Sequence, residues 1–312
     1  MASRRYAVKT RLRSSRRTYR KKSAYPTRRT TRKRTYRKKT SMKKRIINTM
    51  AKKKRDTMVN AYASGANPDP ATVASNFGTG IIITAAPSGL KGNNTHMFIF
   101  NPMRRTLVPS NAYYSAARTS SDVFAVGFSE KFEIIPSDSS CWLWRRIVVS
   151  QKELWGTSAV QAQTGAQAPS GNTNRQLIDI GMTSSTQAFQ DVYDEVLDKL
   201  FAGVAVTDWN NTMTARIDTR RFTVHTDKTR RLTSGNAASS PRTIRTYTKF
   251  NRMMYFDDEE NGTTISPSYN LVTDKRGMGT ITVFDLFQCP APIAPTSQIT
   301  VGVNSTMYWH EK

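Results

Sequence analysis

The strongest constraint on what this chain can fold into is where its charge lies. Residues 1–55 hold 25 lysines and arginines and no aspartate or glutamate, while the other 257 residues hold 23 basic and 22 acidic side chains. An acid-free segment with few apolar residues cannot bury enough surface to offset the entropy of ordering its backbone. Residues 1–55 are therefore expected to form an arm that is disordered when free, and a nearly neutral remainder has to make the fold. The arm's cations recur in clusters: Arg4, Arg5, Arg11, Arg13, Arg16 and Arg17, then Arg20, Lys21, Lys22, Arg28 and Arg29, then Arg32, Lys33, Arg34, Arg37, Lys38 and Lys39, then Lys43, Lys44, Arg45, Lys52, Lys53, Lys54 and Arg55. All are candidate phosphate contacts. Nucleic acid is the commonest partner of such a segment, and an anionic membrane surface is the rival. Tyr6, Tyr19, Tyr25 and Tyr36 lie between the clusters; their rings either stack on unpaired bases or are simply solvated.

After a Gly/Pro/Ala/Ser-rich connector the texture changes to short β-like runs separated by turn residues. Strands are expected near 81–85, 97–100, 123–135, 142–150, 177–180, 213–217, 222–225, 243–256, 280–287 and 300–309. Many short strands punctuated by turns imply an all-β sandwich or barrel. The expected organisation is an arm over 1–55, a connector over 56–80 and a folded body over 81–312. One stretch departs from the β pattern. Gln187–Phe201 places Phe189, Val192, Val196, Leu200 and Phe201 on one helical face, with Asp191, Asp194, Glu195 and Asp198 mainly on the other. It is read as a single inserted helix, with Gly203 helping to end it.

The residues that carry most enzyme chemistry are missing. No Gly-Lys-Ser/Thr phosphate loop, Gly-x-Ser-x-Gly elbow or HExxH occurs, and His96, His225 and His310 are too scattered to form a metal pair. A replication-initiator endonuclease, which needs paired histidines, is disfavoured for the same reason. Cys141 and Cys289 stand alone, which suggests neither a disulfide framework nor a zinc site. No apolar run approaches a membrane span, and the N-terminus lacks a secretory core. No catalytic residue, cofactor or metal is therefore assigned. The run Asp257-Asp258-Glu259-Glu260-Asn261-Gly262 reads as a solvated hairpin turn or as a cation or subunit contact. Within the body, Arg145, Arg146, Arg220, Arg221, Arg230 and Arg231 are candidates for a phosphate-facing surface. A further group is Arg242, Arg245, Lys249 and Arg252. The alternative for each is ordinary charge paired with a carboxylate. If Arg145 and Arg146 lie on a strand they point to opposite faces, so one is expected to reach a core or interface and the other solvent.

Several segments in register carry a resemblance. They are Lys53-Lys54-Arg55-Asp56-Thr57-Met58, Trp142-Leu143-Trp144-Arg145-Arg146-Ile147, Asp227-Lys228-Thr229-Arg230 with Ser234-Gly235-Asn236, Met253-Met254-Tyr255-Phe256-Asp257-Asp258-Glu259, Gly277-Met278-Gly279 and the ending Met307-Tyr308-Trp309-His310-Glu311-Lys312. Through most of its body the chain resembles the coat proteins of genomoviruses, small circular single-stranded DNA viruses related to geminiviruses. The loop over 160–174 and the Gln187–Phe201 helix fall outside the resemblance.

The resemblance implies a single eight-stranded jelly roll, self-assembly into a small icosahedral (T=1) shell of about sixty copies, and packaging of single-stranded DNA by the arm. It also implies passage through the host nucleus by way of an import receptor, with the virion as destination and no membrane partner. A cellular nucleic-acid-binding regulator is the other reading. A neutral β body without a recognition helix suits it poorly.

Overall fold

The computed structural model describes residues 49–62, 76–78, 80–85, 94–108, 116–157, 161, 164–166, 173–181, 187–234 and 240–311. The expected arm up to residue 48, its tyrosines included, lies outside the described residues. Along the chain the elements are β1 (Lys52–Tyr62), β2 (Asn76–Phe77), β3 (Ile81–Thr84), β4 (Thr95–Phe100), β5 (Asp122–Pro136), β6 (Cys141–Gln151), β7 (Arg175–Leu177), α1 (Gln187–Leu200), β8 (Thr223–Leu232), β9 (Arg242–Tyr255), β10 (Glu259–Asn261), β11 (Thr264–Ser266), β12 (Thr280–Ala291) and β13 (Gln298–Glu311).

Eight of these strands make two antiparallel four-stranded layers, β1-β13-β5-β9 and β4-β12-β6-β8. Numbered 1 to 8 in chain order, they read 1-8-3-6 and 2-7-4-5. The chain changes layer at every step but one, and first and last strands lie side by side. This is the strand order of a jelly roll. Short strands extend the first layer: β3 pairs with β13, and β2 and β7 pair with β1. The exception to the alternation is the step from β6 to β8, which are neighbours in one sheet; β7 and α1 occupy that long connection.

Strand parity explains the layering. In β5 the inward positions are Val123, Ala125, Phe128, Phe132 and Ile134, and in β13 they are Ile299, Val301, Val303, Met307 and Trp309, all buried. A bulge between Ala125 and Gly127 lets β5 keep this phase along its whole length. Phe100, Val148, Ile281 and Val283 from the other layer close one half of the intersheet core. Phe98, Trp142, Trp144 and Phe287 close the other half. The outward residues of β4, β6 and β12 are also apolar, and α1 covers them. Phe189, Val192, Tyr193, Val196, Leu197 and Leu200 pack on Met97, Ile99, Ile147, Val149, Phe284 and Leu286. The inserted helix thus roofs one layer of the sandwich. Gly203 lies three residues past its end at φ +87° and turns the chain there rather than capping the last turn.

Four expectations need correction. The domain boundary drawn after residue 55 falls inside β1, so residues 52–62 belong to the body and not to an arm or connector. The strand expected over 213–217 is a set of turns beneath α1, with only Ile217 bridged to Phe201. Its apolar residues are needed to seal the helix, not to pair. β8 runs to Leu232, well past His225, because its second half is built from charged residues that hide the strand period. The turn over 257–262 is a hairpin of β10 and β11, but Asp258 is buried rather than solvated.

Candidate nucleic-acid interface

A cation can hold phosphate only if no carboxylate of the protein already holds it. That sorts the basic residues of the body into two sets. The first set is buried and neutralised. Arg146 and Arg175 meet Glu130 and Asp285 between the sheets. Arg175 Nε donates to Glu130 at 2.9 Å and its Nη2 donates to Asp285 at 2.6 Å. Arg146 donates to both carboxylates. Trp144 Nε1 and Ser305 Oγ supply further donors, at 2.9 Å and 2.8 Å. Burial pushes both guanidinium groups down to about 10, opposed by the Asp285 carboxylate that keeps them charged. Arg145 faces the other side of β6, where it makes a bidentate pair with Asp227 at 2.9 and 2.8 Å and donates to the Thr212 carbonyl. Neither Arg145 nor Arg146 reaches solvent, so the expectation that one of them would do so is corrected. The period-2 rule sends Arg145 and Arg146 to opposite faces of β6, and carboxylates meet them on both, Asp227 on one and the shared Glu130 and Asp285 on the other.

β1 shows the same sorting. Lys54 and Asp56 point inward, and Lys53 and Arg55 outward. Lys54 Nζ lies 2.8 Å from Glu311 and donates to the Ala117 carbonyl and Thr119 Oγ1. Asp56 accepts from Arg105 at 2.5 Å. Lys54 is therefore removed from the set of candidate phosphate contacts. Nearby, Arg118 holds Asp258 with two bonds of 2.6 and 3.0 Å and lies 3.7 Å from the centre of the Phe256 ring.

The second set stands on the outward face of the β1-β13-β5-β9 layer, on which no described element packs. Cross-strand register builds its rows. Lys53 stands beside His310, then Phe124 and Met253. Arg55, Tyr308, Gly127 and Lys249 form the next row, Thr57, Thr306, Ser129 and Tyr247 the next, and Val59, Asn304, Lys131 and Arg245 the last. Lys53, Arg55, Lys131, Arg245 and Lys249 are all exposed. None of the five has an ion-pair partner among the described residues, and the carboxylates of this face, Asp122 and Glu133, stand toward its two ends. Lys131 lies directly opposite Arg245, an arrangement that destabilises a sheet unless an anion relieves it. Strand spacing puts Arg55 and Lys249 roughly 14 Å apart across the row.

Aromatic rings interleave with these cations. The Tyr247 ring lies over Gly127, where an added Cβ would fall 2.4 Å from the Tyr247 hydroxyl; the glycine lets the ring lie along the sheet. Tyr247 is 57% exposed. Burial and the neighbouring Lys53 charge hold His310 below its ordinary value. A cationic sheet face with exposed rings is a surface on which a single strand can track its phosphates and stack its bases.

The remaining sequence candidates separate further. Arg220 and Arg221 are exposed on the β8 side but share Asp218. Arg231 is exposed on the face of β8 turned away from the intersheet space, while Arg230 is exposed on the face turned toward it. Lys52 begins β1 and is exposed. Arg4 through Arg45 lie outside the described residues. Lys131 and the outward role of Lys53 and Arg55 were missed by sequence reasoning. The stretch Lys53–Val59 carried no such signal, because its inward Lys54 and Asp56 are as charged as its outward Lys53 and Arg55. Cys141 and Cys289 are both free thiols. No helix among the described residues is long and apolar enough to cross a membrane.

No family model matches the chain, and no curated protein does. Among solved structures, it is similar to the VP1 pentamer of human polyomavirus 6 at 8% identity over 84% of this chain and 95% of that one, with a TM-score of 0.21. It is also similar to VP1 of trichodysplasia spinulosa-associated polyomavirus in complex with 3'-sialyllactose. The identity there is 9% over 84% and 93% of the two chains, with a TM-score of 0.12. The jelly-roll assignment rests on the strand order and not on these likenesses.

Proposed function

We propose that this chain is a viral coat protein of the genomovirus kind. Its jelly-roll body builds a small icosahedral shell, and its arm, together with the uncovered face of the β1-β13-β5-β9 layer, holds circular single-stranded DNA. The observation that carries this reading is one of continuity. An acid-free basic segment runs in sequence directly into Lys53 and Arg55, which stand in the same rows as Lys249, Tyr308 and His310 on a face without carboxylates at its centre. A jelly roll is a shape that many functions use, so the fold by itself would not distinguish a coat protein. The acid-free arm, the free cations of that face and the sequence resemblance together point to a genome as the partner.

The electrostatics have the right scale. Residues 1–45 hold 21 lysines and arginines, so about sixty copies bring roughly 1,300 arm charges together, which suits a genome on the order of one to two thousand nucleotides. The charges oppose closure of the shell until a polyanion neutralises them. A nuclear import receptor would read the arm's clusters. Two clusters are the candidates for that signal, Arg32–Lys39 and Lys52–Arg55. Lys52–Arg55 is weakened as a signal, because Lys54 is committed to Glu311.

The test is to purify the full chain, treat it with nuclease, image it and extract what is protected. Closed shells containing DNA that a single-strand nuclease digests after release are expected. A protein that forms no particles and protects no nucleic acid overturns the reading, as would shells that protect only duplex DNA.

A further inference from the structure

β8 and β9 are the outer strands of their respective layers, and both stand on the same side of the sandwich. Thr226 Oγ1 lies 3.2 Å from Thr248 Oγ1 across the gap between them. At most places the intersheet space is filled by apolar side chains. Here it is not. Register with β6 sets Thr226, Lys228 and Arg230 beside Val148, Arg146 and Trp144, so the two cations of β8 point into the space between the sheets. Thr246 and Thr248 of β9 enter from the other side, with Arg245 and Tyr247 at the rim. The result is a slot of about 130 Å³ lined by Trp144, Arg146, Lys228, Arg230, Arg245 and the threonines, several times the volume that one water needs.

Three features make this a site and not a packing defect. No carboxylate lines the slot, although four cations do. Arg230 sits 5.8 Å from the Trp144 ring and adds to the positive field on Arg146. Arg146 is buried, its other nitrogens are held by Asp285 and Glu130, and its Nε has no hydrogen-bond partner. Inward-pointing charge on an edge strand can serve only to discourage edge-to-edge pairing. That role does not need threonine hydroxyls converging on the cations from the facing strand. Guanidinium and ammonium donors around a threonine-lined recess are the partners that tetrahedral oxyanions take.

We propose that the slot between β8 and β9 binds a phosphate group, held by Lys228 and Arg230 with the Thr226, Thr246 and Thr248 hydroxyls. The site does not depend on the chain coating a genome: the phosphate can come from a nucleic-acid strand or from a free phosphate or nucleotide.

The experiment uses the full chain and follows its melting temperature in inorganic pyrophosphate against sodium chloride at equal ionic strength. Pyrophosphate is expected to raise the melting temperature of the wild-type protein. In K228A/R230A the apparent affinity should fall at least about tenfold, and in K275A, which removes an exposed cation outside both the slot and the outward face, it should not change. The conservative R230K should retain part of the shift. Near-UV circular dichroism checks that each variant is folded. Short oligothymidines with and without a 5'-phosphate identify the source. Binding that needs the 5'-phosphate and is lost in K228A/R230A assigns a strand end. Loss of both oligonucleotides together assigns an internal phosphate. A pyrophosphate effect without any variant-sensitive oligonucleotide effect assigns a free ligand. A pyrophosphate shift that is absent from the wild-type protein, or equal in wild type and folded K228A/R230A, overturns the proposal.

Discussion

Glu130 accepts hydrogen bonds from Arg146, Arg175 and Ser305 in the middle of the sandwich, with no exposure to water. Its removal leaves buried positive charge that one remaining carboxylate, Asp285, cannot balance. Breaking a buried pair from one side costs roughly 3–5 kcal/mol. Glu130→Ala is expected to lower the denaturation midpoint by a corresponding amount, whereas Lys131→Ala, one residue on and facing solvent, should stay within about 0.5 kcal/mol. Guanidinium unfolding of the two variants checks this, and equal stability would show that the network is incidental. His96 offers a pH-dependent counterpart. Burial alone would lower it, but the Asp179 carboxylate 2.5 Å away and the Thr84 carbonyl outweigh that and raise it above 6.5. A raised folded value means that the folded state holds the proton more tightly. The contribution is therefore complete below pH 6.5 and fades as pH rises through the folded value. His96→Gln should remove this part of the pH dependence of stability, and an unchanged profile would rule the dyad out as its source.

Among the elements, the uncovered face and β1 decide most. Lys131, Arg245 and Lys249 come from two adjacent strands, and their charges serve no pair among the described residues. Neutralising all three should weaken single-strand binding without loss of fold. The slope of log K against log salt should become shallower by roughly 0.7 for each phosphate that the variant no longer neutralises. Fluorescence anisotropy with an oligothymidine at several salt concentrations measures it, and an unaltered slope would remove this face from the interface. β1 tests the corrected boundary. A deletion ending at residue 45 leaves β1 complete, while a deletion ending at residue 55 removes Lys54 and strands Glu311 in a buried site beside Trp309. The shorter deletion should melt like the full chain. The longer one should melt markedly lower, since removing the partner of a buried charge costs about 3 kcal/mol or more. Indistinguishable melting of the two would mean that β1 begins later than Lys52.

For the whole molecule, the proposed division of labour between arm and body would set how assembly responds to salt and polyanion. Without residues 1–45 the chain holds 27 basic and 22 acidic side chains, so copies of it would meet with little of the repulsion that the arms would add. Apolar contacts then supply most of an interface's energy. The protein lacking residues 1–45 should form shells or pentamer-like pieces without nucleic acid. The full chain stripped of nucleic acid should assemble poorly at low salt and recover when single-stranded DNA is added. Sedimentation of both, with and without DNA, decides the matter. A truncated body that stays monomeric at high concentration, beside a full chain that assembles DNA-free, would reverse the two roles.

The sequence by itself determined the all-β class, the position of most long strands, the inserted helix over Gln187–Leu200 and the segregation of charge. Each of these is a local property, carried by period, turn chemistry and composition. It did not determine which cations are free. In Lys53–Asp56 and in Arg145-Arg146, parity says only that neighbours face opposite ways. Whether a face is covered depends on what packs there, α1 on one layer and nothing described on the other. Whether an arginine is neutralised depends on carboxylates far along the chain, Asp285 for Arg146 at a separation of 139 residues and Asp258 for Arg118 at 140. The segments that carried the resemblance, Lys53–Met58, Trp142–Ile147 and Met307–Glu311, contain several of these buried partners. Tertiary pairing decided the site, because a charge is available to a ligand only after the fold has taken its share.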